Sequence, residues 1–412
     1  PTFTQDLQEA ADWLAECQIK TVAMESTSVY WIPLFQILED RGIEVCLVNA
    51  RHVKSVPAAF KTDRRDSRWL RNLHAVGLLN ASFRPQQAIC DVRTVARHRD
   101  NLTKDASRQV LLVQKALNQM NIRLHEVISD IMGVSGLAVL DAIIGGERQP
   151  ERLVALCNDR IEASPEIIKK SLVGDWRPEL LFTLRQSLAS WRHFKQQIGE
   201  CDTEITRLLA EFESVEDPPP PPVRPKKYKR SQPAKTKRTR EQERDMRDQM
   251  IQLFGIDLTC IPSLGVDTVQ LIFTEAGRDL SRFRTENHFA SWLGLSPENS
   301  SSGNRVLSRK TRRNSNRLAR ALRLAANTLT RSSSALGAYL RKMKGRLGSA
   351  KGITATAHKL ARIIYTLITT RTEYDETIFA KNEERYQQKR INRLMREATA
   401  LGYDFVKREC VS

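Results

Sequence analysis

The chain has 412 residues, enough for two or three domains, and 41% of them are hydrophobic, enough for a sizeable core. Its net charge of +18 and pI of about 9.8 call for a polyanionic partner, most simply nucleic acid. No apolar run is long enough to span a bilayer and no signal-peptide pattern is present, while the scattered, odd-numbered cysteines argue against a disulfide framework or a zinc site.

The first third alternates helix and strand. Leu7 to Cys17 carries apolar residues at helical spacing, and Thr21 to Met24 is a short apolar run suited to a buried strand. Val29 to Leu38 reads as a helix closed by Gly42, Glu44 to Val48 as a second buried strand, and Asp63 to Leu79 as another helix. That alternation predicts an α/β domain with a parallel component over residues 1–90. The chain begins with Pro1 rather than Met, so the expectation is a fragment whose start lies upstream.

Three acids stand out there. Glu25 follows the first strand directly, and Asp63 and Asp66 share one face of a helix turn. Ligands collect at the C-terminal ends of strands in open α/β sheets, and hard oxygen ligands are what Mg²⁺ requires. A pair of such ions can clamp the attacking and leaving oxygens of a phosphodiester. Taken singly, the aspartates read as cap or dipole partners and Glu25 as a surface acid.

Residues 91–213 read as a helical, coiled-coil region. One long helix is predicted from Val92 to about Ile131 and another from Pro178 to Phe212, as partners in a spacer or oligomerisation arm or as a plain helical subdomain. Residues 214–243 form a linker: five prolines from Pro218 to Pro222, then a lysine- and arginine-rich run. A mostly α-helical domain over 244–385 and a basic tail over 386–412 complete the chain. Within that domain Leu258 to Val269 reads as helix, tight turn, helix. The pattern resembles a helix-hairpin-helix, with Gly265 placed to let a helix N-terminus meet a nucleic-acid phosphate.

The stretch from Gly294 to Arg305 holds three adjacent serines between Pro297 and Gly303. Arg305, Arg309, Lys310, Arg312 and Arg313 follow, and then a basic helix from about Asn316 to Leu329. On these residues alone the stretch reads first as a surface loop before a solvated helix. Beside guanidinium groups, however, a serine hydroxyl gains the neutralising charge that attack on a phosphodiester requires.

Two blocks carry a family resemblance. The first is Val22–Trp31, Leu47–Lys54 and Lys61–Asp66; the second is Ile261–Gly265, Ala290–Pro297 and Ser302–Arg305, with Ser129–Gly136 between them. Together they resemble the DEDD-type transposases of bacterial insertion sequences, recombinases guided by a structured bridge RNA. The resemblance implies a RuvC-like, RNase H-type fold at the N-terminus, in which Glu25, Asp63 and Asp66 match the last three acids of the metal site. The first aspartate belongs on an opening strand that this chain lacks. It further implies a C-terminal transposase domain whose nucleophile falls on Ser302, or on Ser301 if the register slips by one. It places Lys61, Arg64, Gly265, Arg305, Arg309, Lys310, Arg312 and Arg313 against nucleic acid. Asn304 and Arg305 stand where the family carries glycine and lysine. The implied partners are target and donor DNA, a bridge RNA and further copies of the chain as dimer or tetramer, with Mg²⁺ as cofactor and the bacterial cytosol or nucleoid as setting. Two other readings remain at this point: a metal-dependent RuvC-like nuclease in which Ser302 is a loop residue, and a non-catalytic nucleic-acid scaffold.

Overall fold

The computed structural model describes residues 2–49, 62–215, 240–298, 300–303, 305–308, 310–312, 315–400 and 402–403. Most of the proline- and lysine-rich linker, together with Lys61, Arg309 and Arg313, lies outside the described residues. The chain divides into two compact units, Pro1–Pro85 and Gln86–Ser412.

The first unit runs α1 (Thr4–Glu16), β1 (Thr21–Glu25), α2 (Trp31–Asp40), β2 (Glu44–Val48) and α3 (Asp63–Ala75). Thr21 lies opposite Glu44 and Glu25 opposite Val48 in a parallel pair, so a crossover is required and α2 supplies it. Ala11, Leu38 and Ile43 form the buried centre, with Leu14, Val22, Met24, Leu34, Ile37 and Val45 around them. Helices α1 and α2 thus each turn one apolar stripe onto the sheet, the arrangement their periodicity predicts, while α3 buries no side chain. The third helix is shorter than expected: it stops at Ala75, before the positive φ of Gly77.

The second unit opens on α4 (Gln87–Gln119), which pairs with α9 (Pro178–Ala210). Each has 33 residues and is therefore about 50 Å long. They run antiparallel. Arg99 holds Asp202 in a two-pronged ion pair near one end, and Arg177 donates to the Gln119 carbonyl at the other. Leu102, Ala106, Ile198 and Cys201 pack at the first level. Val113, Leu117, Leu184 and Leu188 pack at the second, beneath the short helices α5 (Leu124–Val127), α6 (Val134–Ile144), α7 (Pro150–Val154) and α8 (Pro165–Ser171).

The single helix predicted to Ile131 is corrected here. It ends at Met120 because Asn121 takes φ 57°, a left-handed turn that asparagine tolerates. Gly174 presses against that turn so closely that a Cβ would sit 2.3 Å from the Met120 carbonyl oxygen.

The remainder of the unit comprises α10 (Arg240–Phe254), a 3₁₀ turn (Leu258–Cys260), α11 (Val266–Ala276) and α12 (Glu286–Trp292). Strands β3 (Ser300–Ser302) and β4 (Arg305–Ser308) follow, then α13 (Arg317–Thr328) and a second 3₁₀ turn (Leu329–Arg331). Helices α14 (Ala335–Leu347), α15 (Ser349–Thr370) and α16 (Thr377–Ala400) close the chain. Phe273 and Phe289 are fully buried, and Phe283 meets Phe289 edge-on at 5.2 Å. Tyr365 of α15 donates its hydroxyl to the Phe283 carbonyl at 2.6 Å, so the central helix is pinned to the aromatic cluster by its polar tip. The basic helix expected from Asn316 is α13, with the Asn316 side chain accepting from the Ala319 amide as N-cap. Among the described residues no helix is long and apolar enough to cross a membrane.

Candidate functional site

The serine stretch is a hairpin rather than a surface loop. β3 and β4 pair antiparallel, with Ser302 opposite Arg305 and Ser301 opposite Val306. Ser302 and Arg305 flank a tight connection, and Gly303 within it takes φ 55°, the positive value that tight hairpin turns demand. A second pairing, Pro297 with Thr311, extends the ladder towards its base. There the Glu298 amide donates to the Lys310 carbonyl at 2.9 Å and Arg312 donates to the Ser291 carbonyl at 3.1 Å.

The register also contains an irregularity between Ser300 and Ser301, because Ser300 pairs with Ser308 and Leu307 has no opposite number. Such a bulge bends the strand and re-aims the side chains near the tip. Leu307, 63% exposed, is left outside the ladder.

The consequence for chemistry is local. Directly opposed residues share one face, with Cβ atoms about 5 Å apart. Ser302 and Arg305 are such a pair, both are exposed, and they flank the turn. A hydroxyl and a guanidinium therefore stand side by side at the hairpin tip. Ser301 has the uncharged Val306 opposite it instead. Lys310 and Arg312 are exposed further down the hairpin.

The acids belong to the first unit. Ser26 ties the end of β1 to the end of β2 through its amide and its hydroxyl, both donating to the Val48 carbonyl, which fixes Glu25 at the C-terminal end of the sheet. The Glu25 carboxylate accepts from the Thr27 hydroxyl at 2.6 Å. Asp63 and Asp66 occupy the first turn of α3, whose N-cap is Thr62, accepting from the Arg65 amide. Capping is thus done by the threonine and not by either aspartate. His74, in the last turn of α3, lies 3.0 Å from the Thr21 hydroxyl at the start of β1. The C-terminal end of α3 thus rests against the start of β1, and Arg64 is exposed on the helix's first turn. The donor chemistry suits a hard divalent ion, but among the described residues no three acid, histidine or cysteine side chains are gathered as metal ligands.

Gly265 sits at the N-cap of α11 with φ −96°, a conformation open to any residue. The positive φ of the preceding turn falls on Ser263, at 81°. The first turn of α11 carries Asp267, and with Thr268 it lines a cleft of about 390 Å³ against Arg97, Arg99 and Asp100 of α4. This helix start faces its own unit, and its carboxylate opposes a phosphate. The first arm of the expected helix-turn-helix is only the 3₁₀ turn Leu258–Cys260.

Sequence reasoning missed the ion pairs that hold this scaffold. Glu275 takes both prongs of Arg97, and Arg93 donates to the Thr274 and Glu275 carbonyls. Asp257 accepts from Arg247 and from both the amide and the hydroxyl of Thr259. These partners lie far apart in sequence or in unpatterned loops, and no spacing rule joins them.

Residues 1–122 match a transposase family of the DEDD IS110 type, and residues 257–341 match the transposase IS116/IS110/IS902 family. No curated protein matches the chain. The first match takes in Glu25, Asp63 and Asp66; the second takes in the hairpin and α13.

Proposed function

The chain belongs to the IS110-family DEDD transposases, which are DNA transposases and recombinases, and on that premise we propose that it cuts and rejoins DNA through a phosphoserine link formed by Ser302. The observation that carries this reading is the register that sets Ser302 opposite Arg305 at an exposed hairpin tip.

The Ser302 hydroxyl oxygen attacks the scissile phosphorus and its proton passes to a base. The bond to the leaving oxygen breaks, and that oxygen takes up a proton to become a free hydroxyl. Negative charge on the phosphoryl oxygens grows at this step, and a guanidinium held beside the nucleophile stabilises it in place. Attack by a free hydroxyl of another strand on the phosphoserine reverses the chemistry and rejoins the DNA. Ser301 is the weaker choice, because Val306 stands opposite it.

Glu25, Asp63 and Asp66 are the carboxylates proposed to serve the family's divalent ion, with Mg²⁺ as the ion. When bound, it would neutralise charge on the scissile phosphate. Because the three are not gathered as ligands, no step above is routed through it. Guidance by a bridge RNA and assembly of several copies are further parts of the proposal, supported by the +18 charge and by the sequence resemblance. The test of the central step is an SDS-resistant protein–DNA adduct that Ser302→Ala abolishes.

A further inference from the structure

Between Glu298 and Glu373 the sequence contains no aspartate or glutamate, while lysine and arginine recur throughout. That block folds as the serine hairpin, α13, the 3₁₀ turn Leu329–Arg331, α14 and α15. Two of its cations reach acids borrowed from elsewhere: Arg317 pairs with Asp100 on α4, and Arg362 pairs with Glu286 on α12. Two more have structural duties at the end of α13. Arg341 donates to the Thr330 and Ser332 carbonyls, and Lys344 donates to the Thr330 hydroxyl. Such contacts satisfy the carbonyls that a helix leaves open at its C-terminus.

Arg320, Arg331 and Arg346 have neither role. All three are exposed, and among the described residues none makes an ion pair or a side-chain hydrogen bond. Arg320 and Arg331 lie on one face of α13 and its 3₁₀ extension, with Leu324 and Asn327 exposed between them at steps of four, three and four residues. Arg346 sits two residues beyond Lys344, a spacing that turns it to another face of α14, so it stands apart from this row. An exposed positive face therefore runs along α13 from Arg320 to Arg331, with no acid of its own block to offset it, and Arg323 of the same helix donates to the Gly294 carbonyl at the foot of the hairpin stretch.

We propose that this face, with Arg320 and Arg331 at its two ends, grips the phosphate backbone of the duplex flanking the cut site. The inference rests on the reading that the hairpin addresses DNA, and it adds where the neighbouring duplex lies. DNA is favoured over RNA because α13 follows the hairpin directly in the chain and its Arg323 is tied to Gly294, at the foot of the stretch that carries the nucleophile. The 12 residues of α13 span about 18 Å, about five base pairs of duplex beyond the hairpin. Side chains that meet phosphates give affinity without sequence preference, so recognition of sequence is left to other parts of the assembly.

The test uses the full chain carrying R320Q and R331Q together, with Arg341 and Lys344 left in place because they close α13. Binding of a mixed-sequence duplex is measured across a salt series. The surface predicts a loss of about tenfold in affinity at moderate salt, and a fall of about 2 in the slope of log K against log salt. The corresponding double lysine variant retains the wild-type slope, because a phosphate needs only the charge; it also separates a binding loss from a folding loss. Ser302→Ala binds the duplex with an unchanged slope, so failure of the serine chemistry and failure of this surface are read separately. Unchanged affinity and slope in the glutamine double would overturn the proposal. So would a loss confined to single-stranded RNA, which would assign the surface to a different partner.

Discussion

At the scale of single residues, the site turns on Arg305. Its guanidinium is placed beside Ser302 by backbone pairing, and among the described residues it has no side-chain partner, so it can meet an anion there. Removing it leaves a correctly placed hydroxyl with nothing to offset the charge that develops on the phosphate. Arg305→Ala is expected to slow single-turnover cleavage at saturating DNA by about 10²-fold, the magnitude typical of a lost oxyanion donor. Arg305→Lys should recover part of that rate, since it restores the charge without the planar fork. Equal rates for wild type and Arg305→Ala would show that the guanidinium only flanks the chemistry. The sequence displayed the serines and the arginines, yet which serine faces which arginine depends on the register. That register contains a bulge at Leu307, a one-residue shift that no reading of composition supplies. The three acids were legible as a set because each follows a strand or opens a helix; their lack of convergence was not.

At the scale of elements, the turn between α10 and α11 is held by Asp257, whose side chain is only 4% exposed. Burial alone would raise its pKa, but hydrogen bonds from Arg247, Thr259 and Cys260 outweigh that and hold the carboxyl below its usual range. Asp257→Ala strands the Arg247 guanidinium and should cost about 3 kcal/mol of stability, read by urea denaturation. A depressed carboxyl contributes stability that is present above the unfolded value of about 3.9 and is lost as pH falls through the lower folded value. The wild-type chain should therefore lose more stability than Asp257→Ala on acidification below about pH 4. A parallel decline of the two would remove this pair from the account of how α10 is anchored. Helices here were legible wherever an apolar stripe recurs, as in α4, α9 and α13. The hairpin was not, because serine and glycine favour turns and the strands are three and four residues long.

At the scale of the whole molecule, two compact units carry two halves of a proposed chemistry: carboxylates in Pro1–Pro85 and the serine in Gln86–Ser412. The proposal requires both. Asp63→Asn and Asp66→Asn should each abolish cleavage while leaving DNA binding intact, and chelation of divalent ions followed by Mg²⁺ addition should abolish and restore it. Cleavage that persists through both treatments would detach the first unit from the reaction.

The most direct measurement concerns the covalent step. The wild-type chain, Ser301→Ala and Ser302→Ala are each incubated with end-labelled DNA, denatured, digested and mapped by mass spectrometry. The expected result is a phosphodiester-linked nucleotide on Ser302 in the wild type and in Ser301→Ala, and none in Ser302→Ala. An adduct that survives Ser302→Ala, or strand cleavage without any adduct, would contradict the assignment of Ser302 as the nucleophile.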